Sequence, residues 1–277
     1  MPGIFLIIIA TLFEEVSTSS AKESISRHLE SIASRAFLVG LWGMLFLGIS
    51  LLGGVEWRFN MASLPFFFSR VAVEIVLTNI TIRAITIADR STFGFFRTLT
   101  IPIILGIDVM LGTVFSISQI WGVLAIVGSL LVLSYRHSLS SKGMGLALLS
   151  AIGSSITLSL YKFNITHFNS VPAEQMLSGM IILPYFLWHA LAIDKENPFK
   201  LLRSKKILSE SAASGVGGIL ASFAYLFAPA SIIVAVQRSS AVCWSIVAGA
   251  LRFHERHIVE KLSVVGLTIV GIALLIR

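Results

Sequence analysis

The sequence predicts an all-α polytopic membrane protein of about ten transmembrane helices, arranged as two inverted five-helix repeats. Three observations predict it. Of 277 residues, 56% are hydrophobic and only 13% are charged, about half the charge of a soluble domain. Apolar runs long enough to cross a hydrocarbon core of ~30 Å, which takes ~20 helical residues, recur between polar breaks. A shift of 140 residues lays the second half of the chain over the first.

The spans read as 3–21, 36–54, 63–87, 92–111 and 115–135, then 143–163, 172–193, 208–228, 230–251 and 261–276. The first has no basic residue before it and runs straight into Glu14 and Glu15, so it is read as part of the mature protein rather than a leader. Breaks fall at 22–35, 56–60, 89–90, 136–142, 166–170 and 194–206, with tight turns at Gly112 and Pro229. Pro172 suits a first helical turn, and Ser170 ahead of it suits a cap. Pro102 and Gly106 predict a kink in the fourth span. Gly215, Gly217 and Gly218 read as a close helix contact.

Under the 140-residue shift Lys22 falls on Lys162, Ala84 on Ala224, Ser91 on Ser231 and Arg97 on Gln237. Five spans per half is an odd number, so the repeats, 1–138 and 139–277, are expected to be inverted within one transmembrane domain, with a site near the midplane between them.

The net charge of +7 does not point to nucleic acid, because the basic residues sit between apolar runs as they do in membrane-protein loops. The single cysteine, Cys243, excludes an internal disulfide. In the run from His254 to His257 the histidines are three apart, not the four of a helical zinc motif, so no metal or other cofactor is expected.

Ionisable groups at bilayer depth need a partner, water or a task. Glu14 and Glu15 lie mid-span but point ~100° apart, and two carboxylates there cannot both stay ionised. Glu14 and Glu74 are the candidate proton-coupling acids. Arg70 and Glu74 stand four apart, the spacing of an intrahelical ion pair. Asn79, Arg83, Arg97 and Gln237 are the candidate substrate contacts, a guanidinium in a wet cavity suiting a carboxylate or phosphate. Arg238 accompanies Gln237 in the ninth span, and Asp108, near a helix end, reads as interfacial. Trp42, Trp121, Trp188 and Trp244 read as belt residues.

The stretch from Phe223 to Ser231 (Phe-Ala-Tyr-Leu-Phe-Ala-Pro-Ala-Ser), the turn Leu251 to Arg256 and the glycines Gly266 and Gly271 resemble the drug/metabolite transporter superfamily, in its EamA-like ten-helix branch. The first half repeats the pattern in 84–91, 101–103, Gly122 and Gly128. One departure is Gly112 with Thr113, where the family places a glutamate; only the second copy, Glu255, remains to hold its turn. Ala10, Glu14, Thr18 and Lys22, spaced by four, resemble the first helix of the small multidrug resistance proteins, whose glutamate exchanges protons for substrate; Glu15 departs from that pattern.

The resemblance implies a secondary transporter of a small organic solute, such as an amino acid or related metabolite, working by alternating access with proton coupling. It implies a cell (inner) membrane location, with lipid and solute as partners and a homo-oligomer left open. An exporter of amphipathic drugs or a lipid-linked flippase is the alternative. An intramembrane enzyme is not expected, since no acid, base and metal groups converge near one interface. The excess of Lys and Arg after odd-numbered spans, as at 195–206, puts those loops in the cytoplasm and both termini outside, whereas the resemblance puts the termini inside.

Overall fold

The computed structural model describes residues 2–26, 30–88, 93, 96–135, 142–253, 266–267 and 269–275. Helix α1 (Pro2–Ser26) starts on a proline, whose missing N–H costs nothing there. Helix α2 (Ile32–Leu52) is capped by Ser31, whose Oγ accepts from the Ser34 amide at 3.1 Å, and it stops at a Gly53–Gly54 turn. A 3₁₀ turn (Met61–Ser63) capped by Asn60 leads into α3 (Leu64–Ile87). Helix α4 (Thr100–Met110) ends before Gly112, whose φ of 87° few other residues adopt. Helix α5 (Ile117–Tyr135) follows.

Gly143, at φ 76°, opens α6 (Met144–His167); a Cβ there would sit 2.9 Å from Ala88, so the close approach itself demands glycine. Ser170 caps α7 (Val171–Trp188), which contains Pro184 and continues as a π turn (His189–Ile193). The short α8 (Pro198–Leu201) precedes α9 (Lys205–Ala224) and α10 (Ala230–Phe253). The backbone is helical again at 269–275.

Among the described residues, five helices are long and apolar enough to cross a membrane: Ile32–Leu52, Met61–Ile87, Met144–His167, Val171–Ile193 and Lys205–Ala224. Large apolar side chains face outward, Leu52 at 90% and Val114 at 92% exposure. Exposing them to water would be costly, whereas lipid is a matching solvent. The chain is an all-α polytopic membrane protein.

The helices do not simply pack in sequence order. Helix α1 lies along α9, α3 along α6, and α2 against both α7 and α9, while α4 packs on α10 and α6. The larger core joins α1, α4, α5 and α10 through Ile7, Ile101, Ile104, Ile126 and Ile233. A smaller one joins α2, α7 and α9 through Phe37, Leu38, Phe186 and Ile207. Of the three expected contact glycines, Gly217 and Gly215 are: a Cβ would meet the Ala10 carbonyl oxygen at 2.9 Å and Trp42 Cβ at 2.6 Å respectively. Gly218 has open space instead.

Several boundaries differ from expectation. Helix α2 begins at Ile32 rather than 36, so Arg35 lies inside it, 7% exposed. An ion pair with Glu30 and hydrogen bonds to the Ser17 carbonyl oxygen (3.0 Å) and hydroxyl (2.7 Å) make that burial tolerable. Burial raises the Glu30 carboxyl above its ordinary value, with the Arg35 charge pulling the other way. Helix α9 runs from Lys205 to Ala224, three residues earlier at its start than read from the sequence. The backbone is helical at 96–98, breaks at Leu99 and resumes at Thr100, so the fourth span is interrupted one turn ahead of Pro102, as the proline predicts. Asp108, near the end of α4 as read from the sequence, is 3% exposed; its Oδ2 accepts from the Ser231 amide at 2.8 Å and hydroxyl at 2.6 Å, capping α10 from a separate helix. Asp89 and Arg90 lie outside the described residues, as do Ser91 and most of the stretch between the ninth and tenth expected spans, including His254, Glu255 and His257.

Candidate substrate cavity

A cavity of about 350 Å³ lies between α1, α3, α6, α7, α9 and α10. Pockets for small molecules begin at about this size. Its wall is built by i, i+3 and i, i+4 spacing on three helices. Arg70, Glu74, Leu77, Thr78, Thr81 and Ile82 come from one face of α3; Ser154, Thr157, Leu158 and Tyr161 from α6; Gly218, Ala221 and Ser222 from α9.

Five charged side chains line it and fall into two groups. In the first, Arg70 Nη1 donates to Glu174 Oε1 at 2.8 Å and Nη2 to Gln175 Oε1 at 3.0 Å, while Nη2 stands 3.1 Å from Glu74 Oε2. Glu174 is wholly buried and accepts from Asn164 at 3.0 Å and Asn169 at 2.6 Å. Its negative charge is therefore tied down by three donors. Glu74 keeps 35% of its side chain exposed and is the accessible acid of the group. The guanidinium of Arg70 lies 4.8 Å from the Tyr161 ring centroid, a cation–π contact.

In the second group, Gln237 Nε2 donates to both oxygens of Glu14, at 3.1 and 3.3 Å. Arg97, preceding α4, and Arg238, on α10, share the charge of Glu14. Arg97 also lies 5.6 Å from the Phe93 ring. Glu15 acts on Arg97 without being part of the lining.

Two tyrosines, Tyr161 and Tyr225, belong to the lining. Tyr161 OH donates to the Ser222 carbonyl at 3.1 Å, and its ring meets that of Tyr225 edge to face at 5.8 Å. Lys162 Nζ donates to the Tyr225 carbonyl at 2.5 Å, and Gln175 Nε2 to Ser222 Oγ at 2.8 Å. These bonds hold the break between α9 and α10 against α6 and α7.

Four of the six candidate residues thus meet in one cavity: Glu14, Glu74, Arg97 and Gln237. The other two do not line it. Arg83 is exposed on α3, one residue past the cavity-facing Ile82, and Asn79 donates to its own helix at the Ile75 carbonyl, 2.9 Å away. Spacing by four put both on one stripe, but that stripe lies beside the cavity-facing one. Sequence reading missed Glu174, Tyr161 and Tyr225. Only Glu174 carried a signal, a charge in the first turn of an apolar span. Trp42 and Trp244 serve helix contacts, donating to Ser211 Oγ and the Ile8 carbonyl at 3.1 Å each, while Trp121 and Trp188 are exposed.

No family model matches the chain, and no curated protein does. One solved structure, described only as the crystal structure of a protein, superposes with a TM-score of 0.72 over 98% of this chain and 95% of that one. At 13% identity that likeness concerns the fold alone.

Proposed function

We propose that the chain is a secondary transporter of a small organic solute, of the drug/metabolite transporter type. Its ten helices form two inverted repeats, 1–138 and 139–277, that rock about the charged cavity.

The observation that carries this reading is a pair of ion-pair sites related by the repeat shift with their charges exchanged. Arg70 on α3 meets Glu174 on α7. Glu210, 140 positions after Arg70, stands 4.0 Å from Arg35 on α2, and Arg35 lies 139 positions before Glu174. Both sites are buried. Their surroundings correspond as well. Ser31 and Ser170 each cap the helix that follows. The loop after α2 holds the second cap through Arg58, whose amide donates to Ser170 Oγ at 3.0 Å. The loop after α7 holds the first through Glu196, which accepts from the Ser31 amide at 2.8 Å. The long contacts of α1 with α9 and of α3 with α6 exchange under the same shift. Two related halves around a polar site are what alternating access requires.

The lining favours a polar cargo. It carries Arg70, Arg97, Arg238, Glu14 and Glu74 and only two aromatic rings, whereas an exporter of amphipathic drugs or lipid needs apolar walls. Glu14 is the coupling acid, and Arg97 and Gln237 contact the solute. The protein sits in the cell membrane and makes or breaks no covalent bond.

The test is uptake into proteoliposomes of an amino-acid and metabolite panel, with and without an imposed pH gradient. Uptake should follow the gradient, and Glu14→Gln should abolish that dependence. Gradient-driven uptake unchanged in Glu14→Gln would remove Glu14 from the mechanism. Absence of uptake across the panel would count against the metabolite reading and favour drug or lipid cargo.

A further inference from the structure

The charges of the cavity are not evenly balanced, and the imbalance names the chemistry of the cargo. This inference rests on the transport reading above. Among the five charged lining residues, Arg70 is matched by Glu74, 3.1 Å away. Around Glu14, one lining carboxylate faces two cations, Arg97 and Arg238. Glu15 offsets part of the charge on Arg97, but the charged groups acting on Arg238 are Glu14 and Arg97, and the second of these repels it.

Arg238, which is half-buried, differs from the buried arginines Arg35 and Arg70 in a second respect. Arg70 and Arg35 spend their donors on carboxylates, an amide and a hydroxyl. The Nε of Arg238 is buried and has no hydrogen-bond partner among the described residues. An unmet donor on a charged group costs more than an unmet neutral one. Two like charges brought together from different halves of the chain add to that cost. One guest removes both penalties: an anionic oxygen that accepts from Nε and sits between the two guanidiniums.

We propose that Arg238, with Arg97 beside it, is the binding site for a carboxylate group on the transported solute. The planar guanidinium fork matches a carboxylate in two parallel hydrogen bonds. Gln237 keeps Glu14 engaged at 3.1 and 3.3 Å. The single carboxylate of Glu14 is thus shared among Gln237, Arg97 and Arg238, which leaves the arginine pair short of one anion. Because Arg97 precedes α4 and Arg238 lies on α10, the bound anion also ties the first half to the second.

The test reads the sign of the cavity directly. Cys243 is the only cysteine, so Cys243→Ser gives a thiol-free chain. Gly218 lines the cavity with open space where a Cβ would go, so Gly218→Cys places one thiol in it without a clash. Its rate of reaction with an anionic and a cationic methanethiosulfonate reagent of similar size is then compared in the full-length protein in detergent. With each rate divided by that reagent's rate with a small free thiol, the anionic reagent should react faster, by roughly threefold or more for one unscreened charge at contact range in water. Arg238→Gln should lower that ratio by a similar factor. Benzoate should slow the labelling and benzamide should not.

A ratio at or below one, a ratio unmoved by Arg238→Gln, or equal protection by benzoate and benzamide would each overturn the carboxylate site while leaving a solute-accessible cavity intact. Failure of both reagents to react would instead overturn the transport reading, because the cavity would be closed to solutes. Circular dichroism and a single gel-filtration peak for Arg238→Gln separate a lost charge from a lost fold, and Arg238→Lys should restore the rate ratio but not the benzoate protection.

Discussion

At the scale of single residues, the strongest constraint is that buried charges come with partners. Arg70 is 2% exposed and Glu174 is wholly buried. Removing one member of such a pair leaves an uncompensated charge, which typically costs about 3 kcal/mol or more. Glu174→Gln is expected to lower stability by about that amount, read as the midpoint of thermal unfolding in detergent. Exchanging the two residues, Arg70→Glu with Glu174→Arg, should recover part of the loss. Recovery of nothing would mean that the asparagine donors to Glu174, rather than the charge pair, hold the site. Glu174 also shows why a spacing rule runs short. Arg70 and Glu74 do form the i, i+4 pair that the sequence suggests, at 3.1 Å, yet the shorter contact of Arg70 is to a residue 104 positions away. No local pattern carries that partner.

At the scale of elements, glycines and caps decide how the helices meet. Gly217 touches α1 while its neighbour Gly218 faces open space, although the sequence presents them alike. Gly218→Ala should therefore be neutral or stabilising by up to about 1 kcal/mol, since alanine is the better helix former. Gly217→Ala should destabilise by about 1–3 kcal/mol, because the α1 backbone cannot give way. Equal effects of the two variants on thermal unfolding would refute the contact. The caps offer a parallel test. Ser31→Ala and Ser170→Ala should each cost about 1 kcal/mol. Each cap also anchors a loop from the other half of the chain, so limited proteolysis should cut the 54–60 segment faster in Ser170→Ala than in Ser31→Ala.

At the scale of the whole molecule, the hydrogen bonds sort the loops onto two faces. One face collects the start of α1, the segment holding Arg58 and the α9–α10 break: Gly3 packs on Ala224, and Ser170 donates to the Arg58 carbonyl. The other collects Glu30, Ser31, Glu196 and the basic stretch from Lys195 to Lys206. Basic loops face the cytoplasm. A cysteine at Arg58→Cys should therefore react with an impermeant thiol reagent added outside intact cells, and one at Lys205→Cys should not, both in the Cys243→Ser background. The reverse pattern would place the termini in the cytoplasm, as the resemblance to drug/metabolite transporters implies.

The sequence by itself determined the membrane, the helices and most of the charged candidates. Those follow from composition and local periodicity: an apolar run of span length cannot be dissolved in water, and a charge within it must be matched. It placed four cavity residues, Glu14, Glu74, Arg97 and Gln237, because intramembrane polar groups are few enough to notice. Only the tertiary structure decided which of them share a cavity, that Arg83 and Asn79 do not line it, that Asp108 caps a helix from another part of the chain, and that Arg238 keeps an unanswered donor. Each of these depends on the rotation of a helix about its axis and on the identity of its neighbour. Helix rotation is set by packing against distant segments, such as Gly217 on Ala10, and a lipid-facing exterior leaves only a weak hydrophobic stripe from which to read it.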